Sequence, residues 1–449
     1  MSVTFEANQL ATILSRHLAD AQHREYCVAY SGGLDSTVLL HALKTLVAKG
    51  LGRGLRALHV DHGLHPDSPR WARECEEASN RWGIPFHAER VEVDPKSGRG
   101  IEAAARKARY GMLSRRLNER EVLLTAHHQD DQLETILMQL LRGAGVAGLA
   151  GMPHRAPFSR GVHLRPLLGF ERASLAEYAL REGLDWVHDI SNDDQRFDRN
   201  FLRASILPTL TARWPGSGAS VRRAGAHCAE AAALLDELAE IDNAGLLHHE
   251  PVPVAMLLEL SPARQRNMLR YRIRRQGLPL PSTRRLNAIL TDVLHAADDS
   301  MPYVSWSGAE VRRYRGHLYL LAPWDYEFDC NSGVWSLSET FSLGRALGRL
   351  RVQETSENAL SVAKTGGELE VKFRQGGERL VLPGASQHKE LKKLFQEAGV
   401  VPWMRNFVPL LYHGESLVAV GDRWICAEFA ASRQEKGVRI QWDDHPPLF

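Results

Sequence analysis

Six consecutive residues, Ser31-Gly32-Gly33-Leu34-Asp35-Ser36, carry the clearest chemistry in the chain. They follow the apolar, strand-like run Cys27-Val28-Ala29-Tyr30 and lead into the helical pattern Thr37–Val47. Two glycines allow a tight turn and let backbone N–H groups approach an anion with no Cβ in the way. A helix that starts here adds unpaired N–H groups and a positive dipole end, which suit a phosphate or pyrophosphate. Ser31 and Ser36 add hydroxyls. The common lysine-containing phosphate loop needs a Lys before its final Ser or Thr, and here Asp35 stands at that place. A carboxylate among phosphates is repelled unless a cation lies between them, so Asp35 implies bound Mg²⁺. The bland reading is a βα turn in which Asp35 or Ser36 caps the helix. The full string, directly after the first strand, favours a loop that binds ATP by its pyrophosphate.

Further polar clusters fall at the ends of other apolar runs. His59-Val60-Asp61-His62-Gly63-Leu64 follows the second, where His62 and backbone groups can frame an adenine. Ala126-His127-His128-Gln129-Asp130-Asp131-Gln132-Leu133-Glu134-Thr135 follows a later one. Asp131 and Glu134, three apart, share a helical face near that helix's start, opposite the stripe Leu133, Ile136, Leu137 and Leu140. Asp130 is also a natural helix cap, which would leave these acids merely solvated. A dinuclear metallohydrolase is another reading, since Asp61, His62, His127, His128 and Asp131 are suitable ligand types. It leaves Ser31–Ser36 unexplained. Two arginine groups complete the set: Arg106 and Arg109 on one face of Ile101–Tyr110, and Asp198-Arg199-Asn200-Phe201-Leu202-Arg203. Spacing alone assigns these arginines nothing.

The elements that must position these residues alternate in type. Strand patterns at Tyr26–Tyr30, Leu55–Val60, Phe86–Val93, Glu121–Ala126 and Val162–Leu168 alternate with helical patterns at Thr37–Val47, Pro69–Trp82, Ile101–Arg120, Gln129–Arg142 and Glu171–Glu182. Such alternation implies right-handed βαβ units in a doubly wound parallel α/β sheet, whose ligands bind at the carboxyl ends of the strands. Gly143–Gly151 reads as a loop. WPGSG at Trp214–Gly218 has turn chemistry. We therefore expect a catalytic α/β domain over 1–215, a mostly helical domain over 216–335 and a small α+β domain over 345–440. A chain of 449 residues, 44% hydrophobic and 24% charged, suits two or three globular domains. The five cysteines show no Cys-x-x-Cys spacing, which excludes a zinc knuckle or iron–sulfur site of that type. The first twenty residues read as an amphipathic helix without a secretory core, and no long apolar run occurs. A cytoplasmic, non-membrane protein is expected.

Taken together, SGGLDS, HVDHGLH, IEAAARKARY, AHHQDDQLET, RPLL at Arg165–Leu168 and DRNFLR resemble the tRNA(Ile)-lysidine synthetase family, a branch of the PP-loop (N-type) ATP pyrophosphatases. The C-terminal stretch around Gly377-Glu378-Arg379, Lys389–Gly399 and Pro402-Trp403-Met404-Arg405 is similar to that family's last domain. His65 and Val401 depart from its usual pattern. Other PP-loop branches fit less well: tRNA thiolases use cysteine pairs, and amidotransferase-linked synthetases need a further domain with a nucleophilic cysteine. The resemblance implies ATP cleaved between its α- and β-phosphates, adenylation at C2 of the wobble cytidine in the CAU anticodon of tRNA(Ile), and displacement of AMP by the amine of free L-lysine. It assigns ATP to Ser31, Gly32, Gly33, Leu34, Asp35 and Ser36, and Mg²⁺ to Asp35. It gives Asp131 and Glu134 to the metal or the lysine ammonium, and Arg109 and Arg199 to the cytidine or its phosphates. A homodimer is an assembly compatible with it. The alternative is a PP-loop adenylating amidase acting on a small molecule.

Charge distribution favours the RNA substrate. Between Ser261 and Leu290 stand eight arginines and no Asp or Glu, with Arg266, Arg270 and Arg274 stacked at i, i+4. Like charges so placed repel mildly, which points to a polyanionic partner, although a solvated basic face is the plainer reading. Lys389, Lys392, Lys393 and Arg405 form a second basic cluster, beside Phe395 and Trp403.

Overall fold

The apolar runs of the first half pair side by side. The computed structural model describes every residue except 1–3, 95–99, 188–193, 298–299, 324–329, 345–346, 356–358, 433–434, 436, 447 and 449. Strands β1 (Glu25–Ala29), β2 (Gly54–Asp61), β3 (Phe86–Arg90), β4 (Glu121–Leu124), β5 (Arg155–Phe158) and β6 (Gly161–Leu164) form one sheet in the order β3-β2-β1-β4-β6-β5. All neighbours run parallel except the β5–β6 hairpin. In register, Cys27 lies opposite Arg56 on one side and Leu123 on the other.

Side chains on a strand alternate between faces, and β1 shows why both faces must be covered. Tyr26 and Val28 pack into one core with Leu39, Leu43 and Leu175, beneath helices α1 (Ala7–His17), α2 (Leu34–Ala48) and α7 (Arg172–Arg181). Cys27 packs into the other with Leu58, Leu113 and Leu123, where α4 (Ile101–Arg116) covers the sheet. The remaining helices of this part are α3 (Ser68–Arg81), α5 (Gln129–Leu141) and α6 (Val146–Leu149). This is the expected doubly wound arrangement. The glycine-rich stretch after α5 coils into α6, and the antiparallel β5, short and half-exposed, is a strand that the alternation does not predict.

The chain forms two compact units, Met1–Glu237 and Leu238–Phe449, with the helix Ser217–Asp242 running through the division. In the second, helices Val254–Leu258, Pro262–Arg275 and Thr283–Ala288 share a core with a four-stranded antiparallel sheet. Its strands are Val252–Pro253, His317–Leu321, Ala309–Tyr314 and Tyr303–Trp306. The helical character expected here is thus accompanied by short strands whose charged residues hide their alternation. Further along, a five-stranded sheet, a three-stranded sheet and the helix Leu391–Ala398 enclose Trp335, Phe395 and Trp442, an α+β arrangement. Residue 345, where that part was expected to begin, lies outside the described residues.

Candidate active site

The glycine-rich loop begins where β1 ends. Tyr30 N–H donates to Leu58 O at 2.8 Å, and His59 Nδ1–H donates to Tyr30 O at 2.9 Å, so β2 holds the loop's entry. Gly32 takes φ +82°, and a Cβ there would lie 2.6 Å from Cys75 Sγ and 3.1 Å from Val187 Cγ2. Val187 N–H donates to Gly32 O at 2.8 Å, pinning the turn from a second side. Ser36 Oγ donates to Gly33 O at 3.0 Å and stands 3.1 Å from Ser31 Oγ, so the two hydroxyls brace the loop. Gly33 precedes α2 with no side-chain cap, leaving the first-turn N–H groups of Leu34, Asp35 and Ser36 to a ligand.

Asp35 connects this loop to the start of α5. Its Oδ2 lies 3.6 Å from His128 Nε2, which is 3.4 Å from Asp131 Oδ2. His128 caps α5: its Nδ1 accepts from Asp130 N–H at 3.2 Å, and its own N–H donates to Asp131 Oδ2 at 3.0 Å. The cap leaves the ring proton on Nε2, facing both carboxylates. Burial opposes a charge on this ring, but the carboxylates of Asp35, Asp131 and Asp130 carry its pKa above the ordinary histidine value. Burial also works against the Asp35 carboxylate, and His128, Arg172 and Arg203 outweigh it, lowering its pKa. Asp35 Oδ1 is buried without a hydrogen-bond partner, its nearest cation being Arg172 Nε at 3.7 Å, an acceptor that a cation among phosphates would satisfy. The residues present therefore fit Mg²⁺ held by Asp35 together with the nucleotide.

Asp131 and Glu134 lie on one face, as their spacing requires, but they do not form a bare acid pair. Arg203 Nε donates to Glu134 Oε1 at 2.7 Å, and its Nη2 reaches Glu134 Oε2 and Asp131 Oδ1, both at 3.1 Å. Arg199 Nε lies 3.1 Å from Glu134 Oε2, and its Nη2 donates to Thr135 Oγ1 at 3.0 Å. Glu134 is fully buried. Burial raises its pKa while Arg203 and Arg199 pull the other way. Arg203 sits in the π-helical turn Leu202–Ile206, a local widening of the helix often found at functional sites. The sequence offers His128 only as a ligand of the dinuclear-metal reading and Arg203 only as part of DRNFLR, with no role for either at this site. The i, i+4 relation of Arg199 to Arg203 is the signal that points to the arginine.

A second, strongly positive group lies beside them. Arg106, Arg109 and Arg165 make no ion pair within 4.0 Å among the described residues, and each lies close enough to affect the charge on His163. Burial lowers the Arg109 pKa, with Arg106 and Arg199 adding repulsion. Burial and then Arg109 push His62 down to about 4, and burial with Arg165, Arg106 and Arg109 pushes His163 down to about 3. Arg165 is held by Pro153 O and His163, and Arg106 and Arg109 lie over the Tyr110 ring. The half-buried Arg109, with no carboxylate partner among the described residues, is a charge that an anionic ligand would stabilise. The loop, Asp35, Asp131, Glu134, Arg109, Arg199 and His62 thus belong to one connected region. The dinuclear-metal reading fares differently. Asp61 Oδ1 accepts from Gly63 N–H at 2.7 Å, and His127 Nδ1 is engaged by Thr125. Among the described residues, no three His, Cys, Asp or Glu form a metal-holding group.

In the second unit the predicted basic residues separate by burial. Arg270, Lys392 and Lys393 are exposed and Arg266 is half-exposed, while Arg274 is exposed at the end of its helix. Arg405 is half-buried, donating to Val400 O at 2.9 Å and to Tyr314 Oη at 2.8 Å, and Lys389 pairs with Glu397. Arg272, in the same arginine-rich run, is fully buried and donates to Asn243 and to the carbonyls of Leu247, His248 and Glu250. His65 stacks on Trp71 at 4.8 Å, and Val401 is buried, so both departures from the family pattern have local structural roles.

A glycine-rich loop with an acid in place of lysine, at the carboxyl end of a parallel strand, defines a PP-loop ATP-binding protein. The family description "PP-loop domain" matches residues 6–210. Descriptions of the TilS substrate binding domain and the TilS substrate C-terminal domain match 253–319 and 369–442. The chain is 42% identical to the tRNA(Ile)-lysidine synthase of Coxiella burnetii, over 93% of this chain and 92% of that one. It is likewise 42% identical to that of Alkalilimnicola ehrlichii, over 97% of each, and 38% identical to that of Yersinia pestis, over 98% of each. The chain belongs to the tRNA(Ile)-lysidine synthase family.

Proposed function

We propose that the chain ligates free L-lysine to C2 of the wobble cytidine of a tRNA(Ile) with a CAU anticodon, consuming ATP and releasing pyrophosphate and AMP. The observation that carries this reading is the junction of the uncapped Ser31–Ser36 loop with the cluster Asp35–His128–Asp131–Arg203–Glu134, in a chain of this family.

The loop's first-turn N–H groups and the α2 dipole bind the β- and γ-phosphates. Mg²⁺ held by Asp35 would offset charge on the phosphates as the bond to the α-phosphate breaks. Arg109, half-buried and without a carboxylate partner among the described residues, is suited to contact the α-phosphate or the cytidine. Fixed donors of this kind favour the charge that develops in the transition state, because they need no reorganisation. The transfer joins a cytidine oxygen at C2 to the α-phosphorus and expels pyrophosphate. The lysine amine then forms its bond to C2, AMP leaves with the oxygen, and the amine gives up a proton. Asp131, part-exposed, is the carboxylate an incoming ammonium can reach and the one suited to accept that proton, since Glu134 is fully buried behind it. Arg270 and Lys392 are suited to phosphate contacts that set register on the tRNA.

The test is incubation with ATP, labelled lysine and a tRNA(Ile) transcript carrying CAU. Transfer of label to the tRNA with AMP release is expected. AMP release that needs no tRNA would instead favour a small-molecule amidase.

A further inference from the structure

Beside the acid–arginine cluster runs a hydrogen-bonded chain of four residues. Thr125 Oγ1 lies 2.8 Å from His127 Nδ1 and 2.8 Å from His163 Nε2, and Arg165 Nη2 lies 3.2 Å from His163 Nδ1. Thr125, His163 and Arg165 are all buried. β4 and β6 are parallel neighbours with Leu123 opposite His163, so Thr125, two residues beyond Leu123, comes to the same face of the sheet as His163.

Proton bookkeeping gives the chain one direction. A guanidinium only donates, so His163 Nδ1 must be bare and accept from Arg165. The single proton of a neutral imidazole then sits on Nε2 and donates to Thr125 Oγ1. The threonine oxygen could accept twice, but it has no third partner among the described residues, so its own proton is satisfied only by donating to His127 Nδ1. His127 Nδ1 is therefore bare, and its proton is on Nε2. The reverse direction fails at Arg165, where two donors would face each other, and a doubly protonated His163 fails in the same way. Burial beside Arg165, Arg106 and Arg109 also keeps His163 neutral, and burial does the same for His127. His127 Nε2 bonds to no group of the chain among the described residues. The charges of Asp131, Arg165, Arg109 and Arg106 act on its ring, which places it near the acid–arginine cluster.

We propose that Arg165, acting through His163 and Thr125, holds His127 as the neutral tautomer with its proton on Nε2, and that this N–H donates to a phosphate oxygen of the reacting nucleotide. The second half rests on the adenylation reading above. Arg165, His163 and Thr125 are then positioning residues. They fix the identity of a donor at the site without touching the nucleotide, and they do so with a residue that cannot deprotonate. A histidine free to exchange tautomers would spend part of its time presenting a lone pair to a phosphate oxygen, which is repulsive.

The test uses the full chain labelled with ¹⁵N-histidine, whose ring nitrogens report the tautomer directly, His127 being assigned with His127→Gln. The native protein should show His127 and His163 protonated on Nε2. Thr125→Val keeps the shape and removes the hydroxyl; His127 should become a tautomer mixture. The single-turnover rate of AMP formation should then fall about tenfold, the scale of one hydrogen bond to the reacting group, with ATP affinity changed less than about twofold. Thr125→Ser should restore both signals. Retention of the Nε2–H tautomer in Thr125→Val overturns the relay. A changed tautomer with an unchanged rate overturns the donor role. If Thr125→Val folds poorly, Arg165→Gln with the same spectrum takes its place, because an amide can accept where the guanidinium cannot. A native chain that forms no lysidine counts against the proposed function, while the spectrum still decides the relay.

Discussion

Arg203 meets Glu134 side-on, Nε to Oε1 at 2.7 Å and Nη2 to Oε2 at 3.1 Å, although the two residues are 69 positions apart. This fork is the strongest form of carboxylate pairing. It closes the end of the catalytic unit over α5 and cancels charge on a carboxylate that has no exposure to water. The acids on α5 are therefore unequal. Glu134 orients Arg203, Arg203 reaches Asp131, and Asp131 faces His128.

Removing Arg203 should cost stability as well as activity. Arg203→Ala leaves Glu134 with Arg199 alone, and we expect a loss of about 2–3 kcal/mol, because a buried carboxylate keeps its desolvation penalty when a partner is lost. The sign with pH is specific. The folded-state pKa of Glu134 is already raised by burial, and the variant raises it further, so the native state favours the protonated acid. The penalty should be full above that pKa and shrink as pH falls towards the ordinary carboxylate range. Urea unfolding of both chains at several pH values measures it. A difference within about 0.5 kcal/mol at pH 8 would mean the fork contributes little.

The two loop glycines should respond differently. In Gly32→Ala the new Cβ must occupy a backbone with φ +82° and a space 2.6 Å from Cys75 Sγ. Strain and overpacking together should destabilise the chain by about 2–4 kcal/mol. Gly33 has an ordinary φ of −72°, and its Cβ would meet only Ser31 Oγ at 3.6 Å. Gly33→Ala should fold normally, so any loss of ATP affinity reports the Cβ against the phosphates. Equal melting losses in the two variants would contradict this division.

The contrast between these glycines shows what was legible in advance. The loop could be read because its geometry is local: a strand, a glycine at positive φ and a helix start are neighbours in sequence. The pair Asp131 and Glu134 could be read for the same reason, as could the alternation of strands and helices that implies a parallel sheet. The partners of these acids could not. That Arg203 joins Arg199 on Glu134 depends on a π-helical turn, and the contact of Thr125 with His163 depends on β6 lying next to β4. Among the arginines the missing information was burial, although a trace of it was present. Met268, Leu269 and Ile273 form the apolar stripe of their helix, and Arg272 stands on that stripe at i+4 and i+3 from the first two.

Acid should destabilise the protein through its neutral histidines. In the folded chain His62 titrates near 4 and His163 near 3, against an ordinary value of 6.5. Between these values the unfolded chain binds protons that the folded chain refuses. Their contribution is therefore fully present above about pH 6.5 and is lost as pH falls through the folded values. One pKa unit is worth about 1.4 kcal/mol, so a loss of a few kcal/mol is expected between pH 7 and 4.5. His163→Gln, which has no ring to titrate, should flatten that slope in urea titrations. A native chain equally stable at both pH values would refute the assignment, as would an unchanged slope in the variant.

Neighbouring arginines of one helix should separate RNA contact from folding. Arg270 is exposed and carries no carboxylate partner among the described residues, whereas Arg272 is fully buried against Asn243 and three carbonyl oxygens. If the exposed face meets phosphate, Arg270→Ala lowers tRNA affinity and reduces the slope of log affinity against log salt by about one, the signature of one lost phosphate contact. Lys392→Ala should do the same, and neither should alter ATP binding or melting. Arg272→Ala should instead destabilise the second unit by about 3 kcal/mol, because several carbonyls lose a charged donor together. A fall in its tRNA binding would then follow the unfolded fraction, not the salt concentration. Filter binding from 50 to 200 mM salt, with melting curves on the same samples, distinguishes the two behaviours. An unchanged salt slope in both Arg270→Ala and Lys392→Ala would remove these residues from the RNA-binding face, and leave the basic helix as a solvated surface.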